Sequence, residues 1–211
     1  MNHSRVVDVG CDHGLLSIYI YLNKKDVSII ASDVNEKPLN EAKKNIKEYK
    51  LEKKIETRIS DGLKNINNDE FDTIVISGLG GNTIVEILSY DKEKIKSAKN
   101  IIIQANNNIE KVRAFLINNN FIVKDEKIIK ENNIISIIIL FEQVKNKIKY
   151  SKNEILHGPI LIKRMESLFI EYLKSLSKKY KTILNKMPNK YIFRKLKLNN
   201  QIKIIKKILK K

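Results

Sequence analysis

Short apolar segments alternate with amphipathic segments through the first two thirds of the chain. Each apolar segment precedes a stretch in which apolar residues recur every three or four positions, as expected of a helix. Strands and helices that alternate in this way form βα units, and consecutive βα units build a parallel sheet between layers of helices. The sequence therefore predicts an α/β fold with five parallel strands, in the runs RVVDVG, VSIIASDV, KIETRISDGL, FDTIVISGLGG and AKNIIIQAN.

Two further apolar runs, FIVKDEKIIKE and ISIIILFEQV, follow the last predicted helix. Only Glu131, Asn132 and Asn133 link them, and a link this short cannot hold the crossover that parallel neighbours require. The two strands should therefore pair antiparallel at one end of the parallel sheet.

The strand pattern stops after Tyr150. From Pro159, apolar residues spaced by three and four positions run from Leu161 to Met187 and predict one long helix, which Pro188 ends. A second helix is predicted from Ile192 to Leu209, and the short link makes an antiparallel helical hairpin of the coiled-coil type. We expect two domains, residues 1–147 and residues 148–211.

The net charge of +17 is unevenly distributed. Residues 1–144 hold 21 basic and 21 acidic side chains, whereas residues 145–211 hold 20 basic and 3 acidic ones. Lysines near phosphates release counterions and provide affinity that does not depend on base sequence. The C-terminal third is therefore predicted to bind a polyanion, most plausibly nucleic acid, although a merely solvated lysine-rich face remains open.

Composition excludes several other classes of protein. The one cysteine, Cys11, cannot form an intrachain disulfide, and no Cys-based metal site is expected. No run of 18 apolar residues occurs, and the first residues lack a signal segment. We expect a cytoplasmic protein that has no membrane partner.

Ligands of an open parallel α/β sheet bind beyond the carboxyl ends of its strands. The first predicted strand leads into Asp8-Val9-Gly10-Cys11-Asp12-His13-Gly14, a glycine-containing turn typical of nucleotide cofactor sites. A carboxylate at Asp12 would repel the pyrophosphate of NAD, whereas it suits a ligand with a sulfonium and an ammonium group. The turn favours S-adenosylmethionine, and a dehydrogenase is the least favoured alternative.

Acids also follow the next two strands. Asp33 comes 19 residues after Gly14, where a carboxylate can accept hydrogen bonds from both ribose hydroxyls. Asp61, beside Gly62, can accept the adenine amino group. Each acid could alternatively cap a helix or stabilise a turn.

The fourth and fifth strands end in groups suited to a base. Three glycines within residues 78–81 would let a planar group lie against bare backbone, and the amides of Gln104 and Asn106 can meet a base edge. A tight strand-to-helix turn is the alternative reading of the glycines.

The predicted strand plan resembles that of class I S-adenosylmethionine-dependent methyltransferases. More specifically, the motifs DVGCDHGLL, DVNEKPLNEA, SDGL, ISGLGG, IIIQAN and HGP resemble, in order and spacing, the bacterial tRNA (adenine(22)-N1)-methyltransferases of the TrmK family, from about Val6 to Pro159. The resemblance implies a Rossmann-like methyltransferase domain followed by a coiled-coil-like helical domain. It also implies S-adenosylmethionine as cofactor, S-adenosylhomocysteine as product and tRNA as substrate.

The resemblance assigns residues to two groups by their positions in these motifs. The cofactor would lie among Asp8, Gly10, Asp12, His13, Gly14, Asp33, Val34, Asp61, Gly62 and Ser77. The target base would be positioned by Gly78, Leu79, Gly80, Gly81, Gln104 and Asn106. No proton-transfer role is assigned to His13, because adenine N1 has an in-plane lone pair that can attack a methyl group directly.

Three features depart from the family pattern. Leu79 replaces a methionine and Ala105 replaces a proline, which loosens the loop around Gln104 and Asn106. A helical segment usually precedes the first strand, whereas here only residues 1–5 do, so one wall of the site is expected to be open.

The expected partner is tRNA, gripped by the lysine-rich C-terminal helices of a monomer. Two alternatives stay open at this point. One is a methyltransferase that acts on another RNA, a protein or a small molecule, and the other is a catalytically inactive RNA-binding protein on the same fold.

Overall fold

The computed structural model describes residues 3–24 and 26–210. Met1 and Asn2 lie outside it, so the expectation of an open wall before the first strand falls partly outside the described residues. Seven strands of the described residues form one sheet. Their bounds are β1 (Ser4–Val9), β2 (Val27–Asp33), β3 (Ile55–Ile59), β4 (Thr73–Leu79), β5 (Asn100–Ala105), β6 (Phe121–Glu131) and β7 (Ile134–Gln143). The strand order is β3-β2-β1-β4-β5-β7-β6. The strands β1 to β5 are parallel and β7 runs antiparallel to β5, which confirms the predicted strand plan.

The central strand β1 explains why its sequence is a nearly continuous apolar run. Val6, Val7 and Asp8 pair with β2 on one side and with β4 on the other. Helices cover both faces of such a strand, and Val6, Val7 and Val9 are each at most 3% exposed.

Helices connect the parallel strands and cover the sheet. In α2, the buried residues Leu39, Ala42 and Ile46 recur at helical spacing and pack into the same apolar cluster as Ile29 of β2 and Ile55 of β3. The helices of this part of the chain are α1 (Leu15–Asn23), α2 (Glu36–Glu48), α3 (Gly81–Tyr90), α4 (Lys92–Ile95) and α5 (Ile109–Asn118).

The chain divides into two compact units. One comprises Met1–Glu126 and Ile137–Lys149, and the other comprises Lys127–Ser136 and Tyr150–Lys211. The second unit thus contains the tip of the β6–β7 hairpin, where Lys130 Nζ bonds Glu171 Oε1 at 2.7 Å. Its helices are α6 (Lys152–His157), α7 (Pro159–Arg164), α8 (Ser167–Lys186) and α9 (Ile192–Ile208).

The expectation of one unbroken helix from Pro159 is wrong. The helix α7 ends at Arg164, because Met165 adopts the left-handed conformation with φ 48° and Glu166 is extended. Leu161 and Phe169 remain buried on either side of this break. The apolar periodicity therefore continues through the break and cannot reveal it. The long helices α8 and α9 do pack against each other, as the predicted hairpin requires.

The helix α6 has a sequence signal that the apolar pattern does not contain. Ser151 and Glu154 form a capping box, in which Glu154 N–H donates to Ser151 Oγ at 3.3 Å and Ser151 N–H donates to Glu154 Oε2 at 2.7 Å. The spacing S-x-x-E is the signature of this cap.

Within residues 3–24 and 26–210, no helix is both long and apolar enough to cross a membrane.

Arg113 of α5 and Glu126 of β6 form a fully buried ion pair, with Arg113 Nε 2.8 Å from Glu126 Oε1. Replacing Glu126 by Ala should lower the free energy of unfolding by about 3–5 kcal/mol, since it leaves a guanidinium buried without its counter-charge. Glu142→Ala is the matched control, because the Glu142–Lys124 pair has the same 2.8 Å separation but is half exposed. It should cost at most about 1 kcal/mol in urea denaturation. Equal losses in the two variants would contradict this prediction.

Candidate active site

A cavity of about 770 Å³ opens at the carboxyl ends of β1 to β4. It brings together residues from four strand ends and from α3, all within the first compact unit. Nine of the residues predicted for the site line it: Gly10, Asp12, Asp33, Val34, Asp61, Gly62, Ser77, Gly78 and Leu79. Seven others lie outside the lining: Asp8, His13, Gly14, Gly80, Gly81, Gln104 and Asn106.

The turn after β1 is built on residues with positive φ. Gly10, Asp12 and Gly14 have φ of 74°, 50° and 71°. Gly14 is also required for space, because a Cβ on it would lie 3.0 Å from the Cβ of Ala42 in α2. Gly14 therefore lets α2 approach the turn, which gives this residue a packing role.

The side chain of Asp33 is held by two loops. Its Oδ1 accepts the N–H of Asn35 at 2.9 Å, and its Oδ2 accepts the N–H of Asp12 at 3.3 Å. Each carboxylate oxygen keeps lone-pair capacity for a further donor. Asp33 is 8% exposed as a residue, and its carboxylate is oriented before any ligand arrives.

The cavity is acidic. Its charged lining residues are four carboxylates and one amine, namely Asp12, Asp33, Asp61, Glu86 and Lys64. This excess of negative charge favours a cationic ligand and disfavours a pyrophosphate.

Lys64 lies against Asp61 at the rim of this cavity. Its Nζ is 2.5 Å from Asp61 Oδ2 and 5.6 Å from the centre of the Tyr90 ring. The hydrogen bond that Lys64 donates to the Asp61 carboxylate, together with the negative charge of Asp61, raises the pKa of Lys64 above its ordinary value. The predicted adenine acceptor Asp61 therefore already has one donor.

Asp8 lies behind the turn and not in the cavity. It is 2% exposed, and its Oδ2 accepts the hydroxyl of Ser17 at 2.7 Å. Burial raises the pKa of Asp8 to about 6, the Ser17 hydrogen bond opposes that rise, and the charge of Asp33 adds to it. His13 is exposed, with its Nε2 3.6 Å from Asp12 Oδ1.

The end of β4 is held by the side chains of Gln104 in β5 and of Asn106 directly after β5. A bulge between Ser77 and Leu79 removes Gly78, with φ 79°, from the regular ladder. Gln104 Oε1 accepts the N–H of Gly78 at 2.7 Å, and Asn106 Nδ2 donates to its carbonyl at 2.6 Å. The two amides, which are predicted to face a base edge, bind both polar groups of the Gly78 backbone.

Gly80 and Gly81 serve the turn into α3. A Cβ on Gly81 would lie 2.5 Å from the carbonyl oxygen of Asn108, and its N–H donates to Asn107 at 3.0 Å. By contrast, a Cβ on Gly78 would meet nothing within 4 Å. Of the three glycines, Gly78 alone combines a positive φ with open space toward the cavity.

The helix α3 contributes a wall that the sequence reasoning missed. Thr83, Glu86, Ile87 and Tyr90 all line the cavity. They recur at helical spacing directly after the glycine turn, so the period of 3.6 residues would have identified this face.

No group of three or more His, Cys, Asp or Glu side chains able to hold a metal ion occurs among the described residues.

Comparison with known proteins gives concordant matches. A family model described as "TrmK: tRNA (adenine(22)-N(1))-methyltransferase" matches residues 6–207. A tRNA (adenine(22)-N(1))-methyltransferase of Bacillus subtilis (strain 168) is 29% identical over 174 residues, which are 81% of this chain and 73% of the relative.

Two solved structures cover nearly the whole chain. The structure of TrmK from M. capricolum in complex with S-adenosyl-homocysteine is 32% identical, with a TM-score of 0.86, and the match covers 99% of this chain and 92% of that one. A Streptococcus pneumoniae protein in complex with S-adenosyl-L-methionine is 28% identical, with a TM-score of 0.88 and coverage of 99% and 93%.

The buried carboxyl of Asp8 should make stability depend on pH. Its pKa is about 6 in the folded protein and near its ordinary value of 3.8 in the unfolded chain. Between these values the folded state holds a proton that the unfolded state has lost, so this contribution to stability falls as the pH rises from about 4 to 6. Asp8→Asn removes the titration, while its amide oxygen can still accept the Ser17 hydroxyl.

The free energy of unfolding of Asp8→Asn minus that of the wild type should therefore increase by up to about 3 kcal/mol between pH 4 and pH 7. It should be constant above pH 7. Urea titrations of both proteins across this range measure the difference, and a difference independent of pH would contradict the burial argument.

Proposed function

Because the chain belongs to the TrmK family of tRNA (adenine(22)-N(1))-methyltransferases, we propose that it transfers a methyl group from S-adenosylmethionine to N1 of adenosine 22 in tRNA. The match of the family model to residues 6–207 confirms the family resemblance that the motifs indicate. The observation that carries the proposal is the acidic cavity at the carboxyl ends of β1 to β4, with the preoriented carboxylate of Asp33 in its wall.

The cavity residues fit this cofactor. Asp33 offers carboxylate oxygens to the two ribose hydroxyls, and Asp61 offers one to the adenine amino group. Asp12 adds negative charge beside the turn, where an ammonium or sulfonium group is stabilised. When bound, S-adenosylmethionine supplies a methyl carbon activated by a positively charged sulfur.

The chain's own contribution to the reaction is orientation. Adenine N1 carries a lone pair and no proton, so no side chain has to remove one before the attack. Holding two reactants in line can contribute about 7–11 kcal/mol at most to lowering the barrier. The residues around Gly78 therefore have a positioning role, and the methyl transfer needs no catalytic base.

We assign the surface at Ser77, Gly78 and Leu79 to the target base. The open space beyond Gly78 lets a flat ring approach the backbone closely. Gln104 and Asn106 act through Gly78, since they fix both of its polar backbone groups, and are therefore positioning residues. N1 lies on the pairing edge of adenine, so the nucleotide must be unpaired or flipped out to reach this surface.

We assign the grip on tRNA to the lysine-rich helices after residue 148. Residues 145–211 hold 20 basic side chains against 3 acidic ones, and the basic side chains supply the phosphate contacts, whereas the cavity is acidic. In this proposal the enzyme acts as a monomer in the cytoplasm, where tRNA is available.

The direct test is incubation of the protein with unmodified tRNA transcript and labelled S-adenosylmethionine, followed by nucleoside digestion and mass spectrometry. We expect 1-methyladenosine, and we expect it to be lost when adenosine 22 is replaced by guanosine. Methylation that persists in this control would place the target elsewhere. Binding of both ligands without any methylated nucleoside would point to an inactive RNA-binding protein.

A further inference from the structure

The distal half of the α8–α9 hairpin lacks a core of its own. Within residues 174–201 no side chain is buried, whereas Leu173 lies before this segment and Ile202 after it, both buried. Residues 174–201 are called the arm below. Packing between α8 and α9 accounts for the half-buried apolar residues of the arm, so only its exposed apolar residues need another explanation.

Four large apolar side chains of the arm are strongly exposed at the start of α9. Their exposed fractions are 46% for Tyr191, 62% for Ile192, 89% for Phe193 and 60% for Leu196. We call these four residues the tip cluster. Ile192 and Phe193 lie four and three positions before Leu196, so the three side chains share one side of the helix.

No other large apolar side chain in the described part of the chain is as exposed as Phe193. Isolated exposed apolar residues are common in proteins, but a contiguous group of them marks an interaction site. The tip cluster is therefore a surface for a partner.

The charge of the arm restricts what that partner is. The arm contains nine Lys and Arg side chains and no Asp or Glu. Lys190, Arg194, Lys195 and Lys197 are interleaved with the tip cluster, and Lys190 Nζ lies 5.3 Å from the centre of the Tyr191 ring. Aromatic rings among cations are the combination that binds unpaired nucleotides, through base stacking and phosphate contacts.

We propose that the tip cluster binds an unstacked nucleotide in a loop of the tRNA, with Phe193 stacked on the base and with Arg194 and Lys197 near the flanking phosphates. This inference rests on the proposed function and names the mode of recognition. It assigns affinity to one aromatic ring as well as to the lysines.

The test compares Phe193→Leu with Phe193→Trp in the full-length protein. Leucine keeps an apolar side chain but cannot stack, so Phe193→Leu should weaken binding of unmodified tRNA transcript by about 5- to 150-fold, the range for one stacked base. Phe193→Trp should bind within about twofold of the wild type. Ile183→Ala truncates another exposed apolar side chain of the arm and is the matched control, with no expected change.

Two further readouts separate stacking from unfolding and from charge. The affinity for S-adenosylhomocysteine, measured by calorimetry, should be the same in all variants, because the cavity lies in the other compact unit. Phe193→Leu should leave the slope of log Kd against log salt unchanged, whereas the double variant Arg194→Gln, Lys197→Gln should reduce it.

Wild-type affinity in Phe193→Leu would overturn the inference. So would a loss confined to binding of phosphatidylglycerol vesicles, which would assign the cluster to a membrane surface. If tRNA binding depends on Phe193 but the wild type forms no 1-methyladenosine, the inference holds and the proposed function fails. If 1-methyladenosine forms and Phe193→Leu binds tRNA like the wild type, the proposed function holds and the inference fails.

Discussion

The geometry of the site depends on the hydrogen bonds that the Asp33 carboxylate accepts. Asp33 ends β2 and accepts backbone N–H groups from Asp12 in the turn after β1 and from Asn35 in the turn after β2. On the other side of β1, the side chain of Gln104 at the end of β5 holds Gly78 in the bulge near the end of β4. In both cases a polar side chain at one strand end fixes backbone at the end of a neighbouring strand or in the turn after it. The cavity walls are thus oriented by the order of the strands in the sheet.

The cavity and the C-terminal third of the chain have opposite net charges. A cavity lined by four carboxylates and one lysine stabilises a cationic cofactor but repels the phosphates of RNA. The proposed function therefore assigns the phosphate contacts to another part of the chain. The excess of basic over acidic side chains lies after residue 144, and the arm contains nine basic side chains and no acidic one.

The strand plan and nine of the cavity-lining residues were predictable from sequence, because they depend on local properties. Apolar periodicity defines the strands, and Gly10 and Asp33 follow strands directly in the chain. The partners of Gln104 and Asn106 were not predictable, since they depend on a bulge in β4 and on which strands are neighbours. The burial of Asp8 behind the turn has the same cause. The break at Met165 was missed because one left-handed residue leaves the apolar spacing intact.

The central claim is that a preoriented carboxylate holds the cofactor. Calorimetric titration of S-adenosylhomocysteine into the Asp33→Asn variant tests this claim most directly. Glu36→Gln is the control, because Glu36 begins α2 nearby but does not line the cavity. Asp33→Asn should bind about 10- to 150-fold more weakly, the range for losing hydrogen bonds to a charged group. Glu36→Gln should bind like the wild type. Wild-type affinity in Asp33→Asn would contradict the account.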